Sequence, residues 1–533
     1  MEVDCIPFQK TGYFSKLICD YLDENKTLKP FYRRFPKLEN FKEQIAEKSK
    51  NYSVAQRELL VRQLKQQYQD FEISEKTSNN INDLGGSQTF TIVTGHQLNL
   101  FTGPLYFLYK IVSTINLCEK LKEHYPEQDF VPVYWMATED HDFDEINYFN
   151  FQGKKIQWNR PAGGAVGHMG TEGLSDVLEV LNAKLGNSKN AQKLKNLFKE
   201  AYINHSTLAG ATRFLANALF GEHGLVVVDG DDKELKGCLV PFIKKDIFEQ
   251  LPFQKVSESI ERLSKVSEDY KIQVNPREIN YFYLQQGLRE RIVEKEGHFL
   301  VNDTDIQFDQ VGLENEMEAH PERFSPNVIA RPLYQEVILP NLCYIGGGGE
   351  LAYWLELKDY FEAMGVPFPM LLLRNSALVL TKKQAEKVKK MDLDVADLFL
   401  KQNSLINKKI RQISNIDIDF SAQKMALGEQ FAHLYELANE TEKSFLGAVK
   451  AQEVKQIKGL QNLEKRLLKA QKRKLKDQVI RLTEIQNELF PNYSLQERQL
   501  NFSELYLQYG EGLIPMLMDS LQPLEQSFLV LRD

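Results

Sequence analysis

The densest group of reactive side chains in this sequence is the acidic run "EDHDFDE", which follows the apolar segment "FVPVYWMAT". It places Glu139, Asp140, His141 and Asp142 next to one another. Carboxylates this close raise one another's pKa unless a cation or a substrate amine compensates them. The run therefore predicts a general base, an anchor for a substrate amino group, or oxygen ligands for Mg²⁺. An exposed acidic turn is the alternative, although an apolar strand leads straight into this one.

A second group of polar side chains lies in "TIVTGHQLNLFTGPLY", residues 91–106, where a β-branched run ends at Gly95. Gly95 allows the backbone to turn without a Cβ clash, and a helix that begins soon afterwards presents unpaired N–H groups to an anion. This pattern places His96, Gln97 and Asn99 to contact a phosphate or a nucleotide. A helix cap at His96 is the alternative. The stretch is neither a P-loop nor a GxGxxG fingerprint.

A third group occupies "SPNVIARPLYQ" and "YIGGGGELAYWLEL". Arg331 is a natural fork for a phosphate or a carboxylate, and Gln335 is placed to orient it. The glycine run that contains Gly347 and Gly348 and precedes Glu350 predicts a backbone nest for an anion, or room for a flat ligand. Two alternatives remain open, a surface ion pair between Arg331 and a nearby glutamate, and a flexible glycine turn.

The elements that position these residues are four apolar runs with polar ends, "TFTIV", "FVPVYWMAT", "HGLVVVDGDD" and "PFPMLLLRNS". Separated by helical stretches, they predict an α/β fold with a Rossmann-like, doubly wound parallel sheet. Ligands bind outside the carboxyl ends of such strands, so Asn375 and Ser376, which follow "MLLLR", join the candidate site. The long connections between runs predict two insertions, at about 150–220 and at about 235–325.

The chain changes character near residue 401. Apolar residues in "VKQIKGLQNLEKRLLKAQKRKLKDQVIRLTEIQNELF" recur every three or four positions, which predicts one long helix that ends at Pro491. A narrow apolar stripe needs a partner, so we expect a coiled-coil hairpin that mediates homodimerisation. The predicted units are a core over residues 1–400 with a helical N-terminal segment, an arm over 401–500, and a segment over 501–533 that packs back on the core.

Composition excludes several classes of protein. The 533 residues carry a formal net charge of −8 and include no apolar run of the roughly 20 residues that a membrane span needs. The beginning of the sequence has no secretory signal pattern, so a cytoplasmic location is expected. Five separate cysteines without a CxxC pair argue against a disulfide framework and a thiolate zinc site. The basic arm lacks interleaved aromatic residues, so no nucleic-acid partner is expected.

Five strings in order, "TGHQLNLFTGPLY", "WMATEDHDFDEI", "SPNVIARPLYQ", "YIGGGGELAYW" and "FPNYSLQER", give the chain a resemblance to one family. Over essentially its whole length it resembles the bacillithiol-biosynthesis cysteine-adding enzymes, a cysteine ligase family. The resemblance implies a Rossmann-like core akin to class I aminoacyl-tRNA synthetases and nucleotidyltransferases. It also implies two connecting-peptide insertions and a C-terminal coiled coil that mediates dimerisation.

The resemblance further implies that cysteine is joined to the amino group of glucosaminyl malate. ATP is the expected activator, and Mg²⁺ is expected only as an ion bound together with ATP. His96 and Arg331 would then stabilise charge on phosphate. Asp140 or Asp142 would hold the amine or accept its proton. Without a zinc site, selection of the cysteine thiol has no assigned residue. A nucleotidyltransferase-like enzyme acting on another acid and amine, and a non-catalytic nucleotide-binding dimeric scaffold, are the alternative functions.

Overall fold

The computed structural model describes residues 1–533 and contains fifteen β-strands in four sheets. In chain order the strands are β1 Glu2–Ile6, β2 Thr89–His96, β3 Asp129–Met136, β4 Tyr148–Phe151, β5 Lys154–Gln157, β6 Val226–Asp229, β7 Tyr281–Gln285, β8 Leu288–Lys295, β9 His298–Val301, β10 Gln307–Phe308, β11 Phe324–Pro326, β12 Asn341–Gly346, β13 Met370–Leu373, β14 Ser376–Leu380 and β15 Phe528–Arg532.

The α-helices surround these sheets and form the arm. They are α1 Phe8–Thr11, α2 Lys16–Leu22, α3 Phe41–Asn51, α4 Val54–Gln67, α5 Glu75–Asp83, α6 Tyr106–His124, α7 Phe143–Ile146, α8 Leu174–Leu185, α9 Lys189–Ile203, α10 Leu208–Phe220, α11 Lys233–Gly237, α12 Val240–Glu249, α13 Leu251–Val266, α14 Gln310–Ala319, α15 Ala330–Ile338, α16 Gly348–Trp354, α17 Lys358–Met364, α18 Lys382–Lys390, α19 Gln402–Ile413, α20 Ser421–Asn439, α21 Lys443–Lys474, α22 Lys476–Leu489, α23 Gln496–Gln499, α24 Phe502–Tyr509 and α25 Leu513–Ser520.

The core is a five-stranded parallel sheet in the order β13-β12-β2-β3-β6. Its strands are nearly continuous apolar runs, as expected for strands that are buried on both faces. β2 and β12 are neighbours although they lie far apart in the chain, so the direction of winding reverses between them. Ligands of doubly wound folds bind at this switch point. The predicted Rossmann-like parallel sheet is confirmed.

The structure corrects two predictions about this sheet. The core strand β12, which lies between β13 and β2, carries the apolar residues of "NLCYIG" and was not among the four predicted strands, because the run is short and merges into the glycines. Gly95 does not form a turn. Gly95 and His96 extend β2 and pair with Trp135 and Met136 of β3. The turn comes later, where Gly103 has a φ of 63°.

Two insertions interrupt the sheet. Between β3 and β6 lie the predicted hairpin, β4 with β5, and the helices α8 to α10. Between β6 and β12 lies an antiparallel sheet in the order β10-β9-β8-β7-β11, which includes the strand-like pieces "INYFYLQQ" and "GHFLVND". Both insertions begin at carboxyl ends of core strands, so their loops stand beside the predicted site.

The arm is a helical hairpin formed by α20 and α21. A short connection joins the two helices, which pack along each other. Its contact is built from Phe431, Ala438 and Val449. The predicted single long helix is broken at Leu475, which has a φ of −101° and a ψ of 32° between α21 and α22. α22 ends at Leu489, just before Pro491. It packs on α19 at the base of the arm.

The C-terminal segment returns to the core. β15 lies between β1, which is antiparallel to it, and β14, which is parallel. α25 packs against α6, where Asn116 Nδ2 donates to the carbonyls of Met518, at 2.7 Å, and Leu521, at 2.6 Å. The segment therefore supports the helix that follows the first core strand.

Candidate functional site

A cavity of about 340 Å³ opens at the carboxyl ends of β2 and β12, at the switch point of the sheet. We call it the switch-point cavity. Its walls combine polar and aromatic side chains from the helices after both strands and from α15. The lining residues are Gly95, His96, Gln97, Tyr106, Lys110, Trp135, Ala137, Val328, Arg331, Tyr344, Glu350 and Tyr353.

Lys110 and Glu350 form an ion pair across this switch point. Lys110 Nζ lies 2.7 Å from Glu350 Oε1 and 2.9 Å from Oε2, and it also donates to the Gly95 carbonyl at 2.6 Å. Glu350 accepts further hydrogen bonds from the Tyr344 hydroxyl, at 2.7 Å, and from the Gly347 N–H, at 3.0 Å. Both charged groups thus have their hydrogen-bonding capacity filled by the protein.

Burial and pairing together shift the pKa of both side chains. Burial lowers the pKa of Lys110, and Glu350 opposes this effect. Burial alone would raise the pKa of Glu350, but Lys110 and the Tyr344 hydroxyl hold it below its usual value. Glu350 is therefore ionised at neutral pH. The pair ties α6 to α16 and leaves little for a ligand to bind.

Arg331 is the cation that remains free in the switch-point cavity. It has no carboxylate partner and donates only to Gln335 Oε1, at 3.2 Å, and weakly to the Tyr353 hydroxyl, at 3.5 Å. Its guanidinium lies 5.9 Å from the ring centres of both Trp135 and Tyr344. The predicted orientation of Arg331 by Gln335 agrees with this geometry. Spare N–H groups remain for a carboxylate or one phosphate oxygen pair.

His96 lies in the wall of this cavity as an uncharged group. Burial, and secondarily the nearby Lys110, lower the pKa of His96 to about 3. Its ring packs on Tyr106 and Phe107, with centroids 5.4 and 5.1 Å apart. The expectation that His96 supplies positive charge to a phosphate is therefore corrected, because a buried imidazole beside an ammonium stays neutral.

A second cavity, of about 220 Å³, lies beyond the carboxyl ends of β3 and β6. We call it the acid cavity. It shares Trp135, Ala137, Val328 and Arg331 with the switch-point cavity, so the two are adjacent compartments of one cleft. Its other lining residues are Met136, Thr138, Glu139, Asp140, Gly230, Asp231, Arg289, Pro326 and Asn327.

Glu139 and Asp231 flank a fully buried lysine in the acid cavity. Lys236 Nζ lies 2.5 Å from Glu139 Oε1 and 2.9 Å from Asp231 Oδ1. Burial raises the pKa of Glu139 to about 7, although Lys236 opposes this. Lys236 and His168, whose Nε2 is 2.5 Å from Asp231 Oδ2, overcome burial and hold the pKa of Asp231 well below its usual range. Glu139 is thus the group in this cavity suited to exchange a proton near neutral pH.

Asp140 has a partly satisfied carboxylate at the mouth of the acid cavity. Its Oδ1 accepts the His141 N–H at 2.8 Å, and its Oδ2 accepts Gln97 Nε2 at 2.8 Å. The same Gln97 amide also donates to Glu145. Asp140 thereby links the ends of β2 and β3. Its pairing leaves Glu139 as the freer acceptor, since only one Glu139 oxygen has a protein partner.

Arg289, from the second insertion, completes the acid cavity. Its Nη1 lies 2.8 Å from His141 Nδ1, and its guanidinium lies 3.9 Å from the Phe282 ring centre. Burial lowers the pKa of Arg289, with Glu139, Asp140 and Asp142 opposing the shift. Asp142 itself is exposed and lines neither cavity. Asp140, His141 and Asp142 could together offer ligand atoms to one cation, since these lie within 4.8 Å of one another.

Comparison with known proteins identifies the family. The family model described as "Bacillithiol biosynthesis BshC, N-terminal Rossmann-like domain" matches residues 1–375, and the model for the "C-terminal coiled-coil domain" matches residues 377–532. The chain belongs to the BshC family. The predicted resemblance is thereby confirmed over both the Rossmann-like part and the coiled coil.

Curated BshC relatives align along the entire chain. The "Putative cysteine ligase BshC" of Christiangramia forsetii is 57% identical and covers 100% of this chain and 99% of its own. The protein of the same name from Flavobacterium johnsoniae is 57% identical, with 100% of each chain covered. That of Bacillus cereus is 26% identical, with 98% of each covered. The prediction of a ligase is confirmed by these names. None of the helices is both long and apolar enough to cross a membrane.

Several predicted site residues lie outside the cleft of this BshC-family chain. Asn375 bonds Ser113 Oγ at 2.9 Å and the Gln522 carbonyl at 2.9 Å, and Ser376 Oγ donates to Glu497 Oε1 at 3.1 Å. Both side chains are buried and serve the packing of the C-terminal segment. Asn99 is also buried and lines neither cavity.

The predicted glycine nest is corrected in a similar way. Gly347 donates its N–H to Glu350, the residue that pairs with Lys110. A Cβ on Gly348 would lie 3.4 Å from Ile18, so this glycine faces α2 and not a ligand. Neither glycine lines the switch-point cavity.

Three cations of the cleft were missed by sequence reasoning. Lys110 could have been found, because it is the one charged residue among the first thirteen of the otherwise buried α6. Lys236 follows the acidic end of β6, where a buried ammonium would compensate the carboxylates. Arg289 gives no such signal, since it lies on an ordinary charged strand, "LRERIVEK".

Proposed function

We propose that this BshC-family chain is a cytoplasmic cysteine ligase that joins the carboxyl group of cysteine to the amino group of glucosaminyl malate. One observation supports this most directly. Two compartments of different charge share a wall formed by Trp135, Ala137, Val328 and Arg331. An activated carboxyl group in one compartment and an amine in the other would meet at that wall, which is the arrangement that ligation needs.

The acid cavity suits glucosaminyl malate. This substrate combines one ammonium group with the two carboxylates of malate. The free oxygen of Glu139 is an acceptor for the ammonium, and the Arg289 guanidinium, which has no carboxylate partner, is a donor for one of the two carboxylates. The acid cavity therefore offers a group of opposite charge for the ammonium and for one carboxylate of the substrate.

The switch-point cavity suits cysteine and its activating group. Amide formation requires that the carboxyl be activated first, and bound ATP would supply that activation. Arg331 fits one carboxylate or one phosphate, while Lys110 is already compensated by Glu350. The aromatic walls from Tyr106, Tyr344 and Trp135 exclude water from the reacting carboxyl and can pack against a thiol.

Glu139 is the proposed proton acceptor. As the C–N bond forms, the bond to the leaving oxygen breaks and the nitrogen releases one proton to water. The attacking free amine is generated beforehand, when the bound ammonium transfers its first proton to Glu139. A carboxyl with a pKa of about 7 is matched to that transfer at neutral pH. Lys236 stabilises its ionised form before the transfer, and Glu139 and then Asp231 overcome burial to hold the pKa of Lys236 above its usual value.

The test has a cellular and a purified arm. In a strain that lacks this gene, bacillithiol should disappear and glucosaminyl malate should accumulate, and the wild-type chain should reverse both. Purified protein with ATP, cysteine and glucosaminyl malate should form the amide together with AMP, whereas ADP would indicate another activation. An unchanged bacillithiol pool in the deletion strain would exclude this function.

Two variants test the assignment of residues. Glu139→Gln should lower the rate about 100- to 10,000-fold, the range expected for loss of a general base. Arg289→Met should raise the KM for glucosaminyl malate and leave that for cysteine unchanged. Arg291→Met is the control, because Arg291 lies on the same strand and its side chain makes no hydrogen bond or ion pair. Equal effects of the two arginine variants would refute the role of Arg289.

The homodimer remains part of the proposal. The hairpin leaves large apolar side chains exposed, among them Leu437, Val454 and Leu463, although its own contact is already formed within one chain. A second copy of the arm would cover such residues along the length of α21.

A further inference from the structure

The turn between β2 and α6, "LFTG", has an unusual backbone. Phe101, Thr102 and Gly103 have consecutive φ values of 49°, 67° and 63°. Glycine adopts such values readily, but a phenylalanine and above all a β-branched threonine do so only under strain. Residues held in this region persist when their surroundings determine them. The contacts that hold this turn are therefore informative.

Most of those contacts come from the segment that follows the arm. Asn501 Nδ2 donates to the carbonyls of Phe101 and Gly103, at 2.7 Å each. The Leu105 N–H donates to the Leu500 carbonyl at 2.7 Å. Asn501 is fully buried, and its Oδ1 accepts from Ser503, which fixes the orientation of its amide. The Asn501 side chain is thus oriented by Ser503 through its Oδ1 and binds the turn through its Nδ2.

The turn sets the start of α6, and α6 carries two residues of the switch-point cavity, Tyr106 and Lys110. The segment that follows the arm also contacts this region through Glu497. Glu497 pairs with Arg374 at 2.8 Å, both side chains being almost fully buried, and the Arg374 guanidinium lies 4.9 Å from the Tyr106 ring centre. Two independent contacts thus join this segment to the first turn of α6.

We propose that Asn501 is a positioning residue for the switch-point cavity, which holds the strained turn so that Tyr106 and Lys110 point into the cleft. Asn501 lines neither the switch-point cavity nor the acid cavity, so it acts through the turn. The inference rests on the proposed function for its activity readout, and it adds to that function a route by which the base of the arm controls the geometry of the cleft.

The experiment compares Asn501→Ala, the double variant Asn501→Ala with Thr102→Gly, and the control Gln508→Ala. Gln508 lies on α24, close to Asn501 in the chain, and its exposed side chain makes no hydrogen bond. Each chain is expressed in the deletion strain, where bacillithiol is measured, and each is purified for hydrogen exchange over residues 99–110 and for thermal unfolding. The double variant is decisive because glycine adopts the left-handed φ of Thr102 without strain.

Asn501→Ala should lower the bacillithiol pool about 10- to 100-fold, in line with a displaced wall of the switch-point cavity and a misplaced substrate, and should speed exchange across residues 99–110. Thr102→Gly in that background should restore both, and Gln508→Ala should change neither. Wild-type exchange in Asn501→Ala would overturn the proposal. So would a loss of bacillithiol that Thr102→Gly does not restore, because Asn501 would then serve only general stability. If even the wild-type chain restores no bacillithiol, the proposed function fails, while the exchange data still decide the role of Asn501.

Discussion

Lys110 Nζ lies 2.7 Å from Glu350 Oε1, so the helix after the first core strand β2 is joined by a buried ion pair to the helix after its neighbour β12. The two residues are separated by most of the core sequence and meet only because the winding of the sheet reverses between β2 and β12. The ion pair therefore joins the two helices at the switch point, beside the cavity in which a ligand can bind.

This pair gives the first prediction. Glu350→Gln leaves the buried Lys110 ammonium without its counter-charge and should lower the free energy of unfolding by about 3–5 kcal/mol. Lys110→Met should cost less, because Glu350 keeps its Tyr344 and Gly347 donors. Denaturant unfolding measures both. Glu258→Gln, in an exposed pair with Lys255, is the control and should stay within about 0.5 kcal/mol of the wild type. Equal small losses in all three would contradict the structural role of the pair.

Glu139 gives a prediction about pH. Its pKa is raised from 4.5 to about 7 by burial, so the folded chain retains a proton that the unfolded chain releases between these values. The resulting stabilisation is complete below about pH 4.5 and is lost as the pH rises through 7. Glu139→Gln removes this dependence. Relative to the wild type, the variant should gain about 1–3 kcal/mol between pH 5 and pH 8 in denaturant titrations. A relative loss over that range would mean that Lys236 keeps Glu139 ionised in the fold.

Gly230 gives a prediction about the shared wall. A Cβ added there would lie 2.5 Å from the Trp135 ring, which borders both cavities. Gly230→Ala must displace that ring and should cost about 1–3 kcal/mol of stability together with a large fall in ligase activity. Gly459→Ala is the matched control, because nothing lies within 4 Å of its added Cβ in the middle of α21. We expect this control to be neutral or slightly more stable. Thermal unfolding and the amide-forming assay distinguish the two variants.

The arm gives a prediction about assembly. Leu437, Val454 and Leu463 are 56%, 57% and 53% exposed, so a charge at Val454 leaves the fold of one chain intact. Val454→Glu should convert a dimer into a monomer in sedimentation experiments, because the charge would be buried at the contact between two arms. Lys455→Glu controls for the change in charge alone. A dimer that survives Val454→Glu would place the interface elsewhere.

The sequence predicted the parallel sheet well because its strands are buried on both faces and therefore read as long apolar runs. The acidic run was found for a related reason, since charged residues at strand ends interrupt an apolar pattern. β12 was missed because its six residues continue into glycines, which hide where the strand ends.

What the sequence did not predict depends on distant contacts. The neutral state of His96 follows from burial beside Lys110, and the buried role of Asn375 follows from Ser113 and Gln522. Neither can be derived from residue type, because each is decided by how the segments pack together in the fold. Arg289 enters the site only through the pairing of strands in the second insertion.

The pairing of β1 with β15 orders events during synthesis. Residues 2–6 have no other strand neighbour than residues 528–532, which are translated after every other strand described here. β1 therefore stays unpaired, as does the edge of β14, until β15, which pairs with both, has been translated. A nascent chain at this stage exposes two unpaired strands, so binding by a chaperone is expected to be strongest just before β15 is translated.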